Sequence, residues 1–184
     1  MTPAGLDELD GPAFTRRLDA FLAVYADAMR PPPEQLPGRR QIMLRHASYT
    51  GFRCLAVSDQ GRRVAFAYGF PGRSGQWWHD VVEVALTASS GRRFATAWVA
   101  DGFEIGEVHV ATDHQGRGIG RSMVTTLCAG RLERTALLST RDAATPARHL
   151  YRSLGFADLL TAYRFPGSYE PYAIMGAALP LAGA

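Results

Sequence analysis

Residues 113–122, DHQGRGIGRS, place glycine at every second position, Gly116, Gly118 and Gly120, with arginine inside the run and again at Arg121. Glycines that dense weaken any regular helix or strand, so the run reads as a shaped loop. The stretch before it, FEIGEVHVAT (103–112), is rich in β-branched residues and predicts a strand; the stretch after it, 118–132, predicts a helix. A strand that ends in glycines and opens into a helix offers unpaired N–H groups at the positive end of a helix dipole, which suits a phosphate. Two familiar phosphate loops do not fit. The dinucleotide fingerprint needs glycine where Arg121 stands, and the nucleotide P-loop needs glycine at Gln115 and lysine at Arg121.

The rest of the chain predicts one mixed α/β domain. Phe14, Leu18, Phe21, Leu22, Tyr25 and Met29 recur at helical spacing over 12–30, and Pro31-Pro32-Pro33 stops that helix. A second helix is expected over 39–49. FRCLAVSD and RRVAFAYGF, joined by Gln60-Gly61, read as an antiparallel hairpin. A helix over 74–88 follows, with Ser74 as its expected N-cap. After the glycine run come a strand at 135–140, a helix from about 144 to 154 closed by Gly155, and strands at 158–165 and 171–178. No repeat or long linker interrupts the 184 residues, so a single domain over 1–184 is expected.

Composition excludes several classes. The chain carries net charge +3, has no lysine and no asparagine, and draws its twenty basic residues from arginine alone, with scattered pairs at Arg16-Arg17, Arg39-Arg40, Arg62-Arg63 and Arg92-Arg93. That pattern fits a solvated surface better than a nucleic-acid face. No stretch approaches the ~18 apolar residues of a membrane span, and the acidic MTPAGLDELDG lacks the basic start of an export signal. No membrane partner and a cytoplasmic location are expected. Cys54 and Cys128 form no metal pattern and are expected to be buried thiols.

A third loop pattern does fit. Gln115-Gly116-Arg117-Gly118-Ile119-Gly120 resembles the [QR]-x-x-G-x-[GA] signature of the GNAT superfamily of N-acetyltransferases. EVHVATDHQ is similar to that family's fourth strand, and RDAATPARHLYRSLGF to its later N-x-x-A-x-x-[LF]-Y-x-x-x-G-F segment, with Ala147, Leu150, Tyr151, Gly155 and Phe156 in register. The resemblance is clear over about 100–160 and implies a motif-bearing core over about 50–178. It implies a mixed, mostly antiparallel twisted sheet of six or seven strands flanked by helices. It also implies acetyl-CoA as cosubstrate. The amides of Gln115, Gly116, Arg117, Gly118, Ile119, Gly120 and Arg121 would hold the pyrophosphate, and Val108, His109 and Val110 the pantetheine arm. One departure stands out: Ala144 occupies the place of a frequent asparagine.

Acyl transfer to an amine needs a base, because an alkyl ammonium of pKa ~10 has no lone pair at neutral pH. It also needs an oxyanion donor, which the resemblance assigns to the N–H of Val110 or a neighbour, and an acid for the departing thiolate. Glu104 and Glu107 are the candidate bases, three apart on the strand, so a regular pleat would send them to opposite faces. The family's frequent bulge would shift that register. Spacing from Gln115 favours Glu104 by analogy; the EVHV context with His109 favours Glu107, and the reading settles on Glu107. Tyr151, seven residues after Ala144 on one helix, is the candidate acid. Two aromatic-rich stretches, Trp77 to Asp80 and Tyr163 to Tyr172, are expected to border the acceptor, a small-molecule or peptide amine. The rival expectation is an idle acyl-CoA-binding module. A monomer or homodimer is expected.

Overall fold

The computed structural model describes residues 5–181. Its strands are hydrogen-bonded in the order β1 (Leu6–Leu9), β2 (Arg53–Asp59), β3 (Arg62–Pro71), β4 (Gly102–Val110), β5 (Thr135–Arg141), β7 (Tyr172–Ala178), β6 (Ala157–Tyr163), a seven-stranded mixed sheet with helices against it. The chain divides into two compact units, residues 5–70 with 105–127 and residues 71–104 with 128–181. No helix among the described residues is long and apolar enough to cross a membrane.

In the first unit, β1 (Leu6–Leu9), β2 (Arg53–Asp59) and β3 (Arg62–Pro71) pair antiparallel in sequence order. Helices α1 (Gly11–Thr15), α2 (Leu18–Met29) and α3 (Leu36–Ala47) pack on this sheet. Their core joins Phe14, Phe21, Met43, Phe66, Tyr68 and Phe70, all buried. The single helix expected over 12–30 is two. Residues seven apart on a continuous helix stand about 10 Å apart, yet Phe14 and Phe21 stack with centroids 4.6 Å apart. The break at Arg16–Arg17 permits that contact, with Arg17 off helical geometry at φ −116°, ψ 14°.

The sequence reading missed β1 and α5. β1 is four residues, LDEL, two of them acidic, and ion pairs hold it: Arg53 to Glu8 at 2.8 Å and Arg63 to Asp7 at 2.5 Å. Its fold signal lies in partners some fifty residues away, which local patterning cannot see.

In the second unit, α4 (Trp77–Ser90) and α5 (Arg92–Val99) follow β3. Then the start of β4 (Gly102–Val110) pairs parallel with β5 (Thr135–Arg141), from Gly102↔Thr135 to Glu104↔Leu137. β7 (Tyr172–Ala178) pairs antiparallel with both β5 and β6 (Ala157–Tyr163). Val82, Leu86, Val99, Leu137, Phe165 and Ile174 form its core. α4 starts at Trp77, not at the expected Ser74. The Asp80 carboxylate accepts from Gly75 N–H at 3.0 Å, and Gln76, still extended, precedes the first turn. Helix α7 (Pro146–Ser153) completes this unit, while α6 (Ile119–Cys128) belongs, up to Leu127, to the first. Cys54 and Cys128 are both buried thiols outside any disulfide.

Candidate functional site

The glycine loop forms as the sequence suggests. Gly116 and Gly118 take φ of +74° and +78°, conformations a side chain rarely adopts, and a Cβ at either would meet nothing within 4 Å. No hydrogen bond satisfies the N–H groups of Gly116 to Gly120 among the described residues, and α6 opens at Ile119. The Gln115 side chain donates to Val110 O at 3.0 Å, and Arg117 donates to Asp113 O at 2.9 Å. The loop is therefore an open nest of donors tied at both shoulders, which fits a pyrophosphate. Within the first unit β4 is an edge strand: its pairing with β5 ends at Glu104, so Glu107 to Val110 leave one backbone edge without that partner. Both observations fit acetyl-CoA, whose pantetheine arm carries amides able to pair with such an edge.

The two candidate bases sit in contrasting surroundings. Glu107, in the first unit, is buried and saturated. Its Oε1 accepts from Arg39 Nη1 at 2.6 Å, and its Oε2 bonds His109 Nε2. Burial works to raise this carboxyl, but the adjoining His109 and Arg39 charges outweigh it and hold it below the ordinary range. His109 is itself enclosed, edge-on to Tyr25 at 5.1 Å and against Phe66 at 5.4 Å. Behind the pair, Tyr68 Oη lies 2.9 Å from His46 Nδ1.

Glu104, in the second unit, is also buried, but only half satisfied. Oε1 lies 2.9 Å from His79 Nδ1, while Oε2 is buried without a partner among the described residues. Burial raises its carboxyl above the ordinary range despite the His79 bond, and that bond in turn raises the His79 imidazole. Gly72 packs directly on the pair: a Cβ there would stand 2.3 Å from Glu104 Oε1 and 2.8 Å from His79 Nδ1. Only glycine leaves the dyad its place.

The regular alternation that would send the two glutamates to opposite faces breaks within β4. A Cβ on Gly106 would come 2.6 Å from Tyr68 Cε2, so Gly106 faces Tyr68. Glu107 and its partner His109 lie on that same side, since His109 packs on Phe66, which stacks on Tyr68. Two consecutive residues on one face are the mark of a bulge.

Tyr151 and Glu104 both belong to the second unit. Tyr151 is 8% exposed on α7, its ring 5.9 Å from Phe156. The expected helical spacing from Ala144 does not hold. Thr145 caps α7 by accepting from Arg148 N–H at 3.1 Å, Pro146 is the first helical residue, and Ala144 lies outside. Of the aromatic stretches, Trp78 donates to Ser139 Oγ at 3.1 Å, and Trp77 packs on Phe165 while remaining half exposed. His79 as the partner of Glu104 escaped the sequence reading. Its signal was present as a histidine within the acceptor cluster, but nothing local links it to a strand 25 residues away.

Comparison with known proteins bears on family and fold. Residues 50–158 match the family model described as an acetyltransferase (GNAT) domain. The chain is 34% identical over 192 residues to a GCN5-like protein acetyltransferase of Mycobacterium tuberculosis, covering 90% of this chain and 93% of that protein. Its fold is similar to that of the ribosomal-protein-S18-alanine N-acetyltransferase of Escherichia coli, with TM-score 0.66 and 19% identity over 97% of this chain and 95% of that one. It is also similar to a Salmonella typhimurium protein solved with its cofactor acetyl-CoA, with TM-score 0.60 and 16% identity over 97% and 95%.

Proposed function

The chain belongs to the GNAT acetyltransferase family, and we propose that it acetylates a primary amine by direct transfer, with Glu104 drawing the proton from the incoming ammonium. Acetyl-CoA supplies the acetyl group as a thioester. The observation that carries the reading is Glu104 Oε2: a buried carboxylate oxygen without a partner, beside an oxygen already held by His79. Leaving such an atom unsatisfied costs about 1–3 kcal/mol in an ordinary core. A bound ammonium would recover that cost. The raised carboxyl also places the base nearer the operating pH, where proton transfer is most effective.

The other residues take distinct roles in this reading. His79 is a positioning residue that fixes the Glu104 carboxylate and, through its bond to Oε1, can share the proton taken up at Oε2. The N–H groups of Gly116 to Gly120 receive the pyrophosphate, and the edge from Val108 to Val110, whose last carbonyl already accepts from Gln115, receives the pantetheine amides. Tyr151 Oη holds the proton that the departing sulfur requires. Glu107 is a structural anion, since both its oxygens are engaged by Arg39 and His109. Trp77, two residues before His79, packs on Phe165 to offer an apolar platform suited to an amine on a small molecule or a peptide. The chain from 1 to 184 acts as one domain in this reading.

The reading is tested by release of free CoA from acetyl-CoA over a panel of amines. Gly118→Asp tests the loop: it sets a carboxylate against the pyrophosphate at a φ of +78°. At acetyl-CoA a hundredfold above Kd, the wild type gains about 2.7 kcal/mol, a Tm rise of roughly 5–10 °C for a chain this size. The variant should show none of that rise; a full rise places the cofactor elsewhere. Tyr151→Phe should lower turnover about 10²-fold while acetyl-CoA affinity stays within a few-fold. Joint loss of affinity and rate would make Tyr151 a binding residue instead.

A further inference from the structure

We propose that His114 is a positioning residue that clamps the glycine loop in its binding shape by bridging Asp59, at the end of β2, to Asp113, inside the loop. The inference rests on the reading of that loop as the acetyl-CoA pyrophosphate site, but concerns groups that reading does not use. The His114 side chain is 10% exposed, and each ring nitrogen faces a carboxylate: Nδ1 lies 2.7 Å from Asp113 Oδ1 and Nε2 lies 3.0 Å from Asp59 Oδ2. A neutral imidazole has one N–H and can satisfy only one such acceptor, so both bonds require the cation.

Asp113 is the hub of a wider brace. Its Oδ2 accepts from Arg62 Nη2 of β3 at 2.7 Å, and its carbonyl accepts from Arg117 of the loop at 2.9 Å. One step earlier, Thr112 N–H donates to the Asp27 carboxylate of α2 at 2.6 Å. The hairpin and α2 therefore both hold the chain just before its donors turn outward at Gly116. The charged groups facing His114 are Asp113 and Arg117 on its own loop, Asp59 at the end of β2 and Arg62 on β3. The bonds to Asp113 and then Asp59 raise the imidazole above its ordinary value, against burial and Arg117. The sign follows: the clamp is complete below that raised value and loses one of its two bonds as pH rises through it. Acetyl-CoA affinity should then weaken on the alkaline side.

The test measures the Kd of acetyl-CoA by calorimetry from pH 6 to 9 in the wild type, His114→Phe and Asp59→Asn, with Gly118→Asp as control. His114→Phe keeps the ring and removes both bonds; it should weaken binding about tenfold at pH 6 and flatten the pH dependence. Asp59→Asn should shift Kd in the same direction by less. A nuclear magnetic resonance titration should place the wild-type His114 pKa above ~6.5. Wild-type Kd and an unaltered pH profile in His114→Phe overturn the clamp while leaving the loop assignment intact. If His114→Phe does not fold, Asp59→Asn decides by the same two readings. If Gly118→Asp binds acetyl-CoA like the wild type, the loop assignment itself fails and the clamp with it.

Discussion

Glu104→Gln should lower kcat by about 10²–10⁴ at neutral pH, because it keeps the shape of the side chain and removes its basicity. Glu107→Gln should behave in the opposite way, with turnover within a few-fold of wild type and stability reduced. The contrast comes from occupancy, since the two side chains are of one type on one strand. Glu107 spends both oxygens on Arg39 and His109, and charges at that distance hold it ionised and unreceptive. Glu104 keeps one oxygen uncommitted, and burial makes the proton it would accept easier to hold. Two further readings sharpen the test. The Glu104→Gln deficit should shrink for acceptor amines of low pKa or at high pH, where the amine arrives without its extra proton. The wild-type rate should fall on the acid side around a carboxyl pKa above the ordinary ~4.3, and that limb should vanish in the variant. Similar losses in both glutamine variants, with no amine dependence, would remove Glu104 from the role of base.

The same pair shows how far the sequence could be read. The strand, the glycine loop and the following helix were legible because they rest on local signals: β-branched residues, then positive-φ glycines, then helical periodicity. A phosphate-suited loop follows from those signals; the cofactor class came from the resemblance to the GNAT signature. Choosing between Glu104 and Glu107 was not legible. The deciding partners are His79, 25 residues away, and Arg39, 68 residues away, and the bulge at Gly106–Glu107 breaks the parity that a regular strand would supply. Arg39 sits in a helix of low amphipathic contrast and looks like any solvated arginine in the sequence. His109 pointed toward Glu107 as base, but that histidine bonds Glu107 Oε2 while Arg39 takes Oε1, which is why we propose Glu104 instead. The brace around His114 was equally hidden, since Asp59 and Arg62 read as hairpin ends. The split between α1 and α2 was lost for a related reason: helical spacing of Phe14 and Phe21 is compatible with one long helix, and only their stacking reveals two.

A second large effect should appear in stability against pH, centred on His46. The ring is mostly buried on α3, in contact with Phe70 at 5.0 Å and Tyr49 at 5.6 Å, and its Nδ1 lies 2.9 Å from Tyr68 Oη. Burial, above all, lowers its pKa to about 4, with Arg39 and Arg45 adding to the effect and Glu107 opposing it. A histidine depressed in the folded state binds its proton more readily when unfolded. Stability is therefore complete above the unfolded value of ~6.5 and falls as pH drops toward 4. At about 1.4 kcal/mol per pH unit, the loss reaches about 3 kcal/mol by pH 4, a large share of a 5–15 kcal/mol total. His46→Leu alone would leave the Tyr68 hydroxyl buried without its acceptor, so the informative variant pairs it with Tyr68→Phe, which removes both polar groups. Urea unfolding of the double variant should show a much shallower decline between pH 7 and 4.5 than the wild type. Below about pH 4.5 both proteins should lose further stability, as depressed carboxyls such as Glu107 take up protons. An equal decline in both proteins between pH 7 and 4.5 would move the acid sensitivity away from His46.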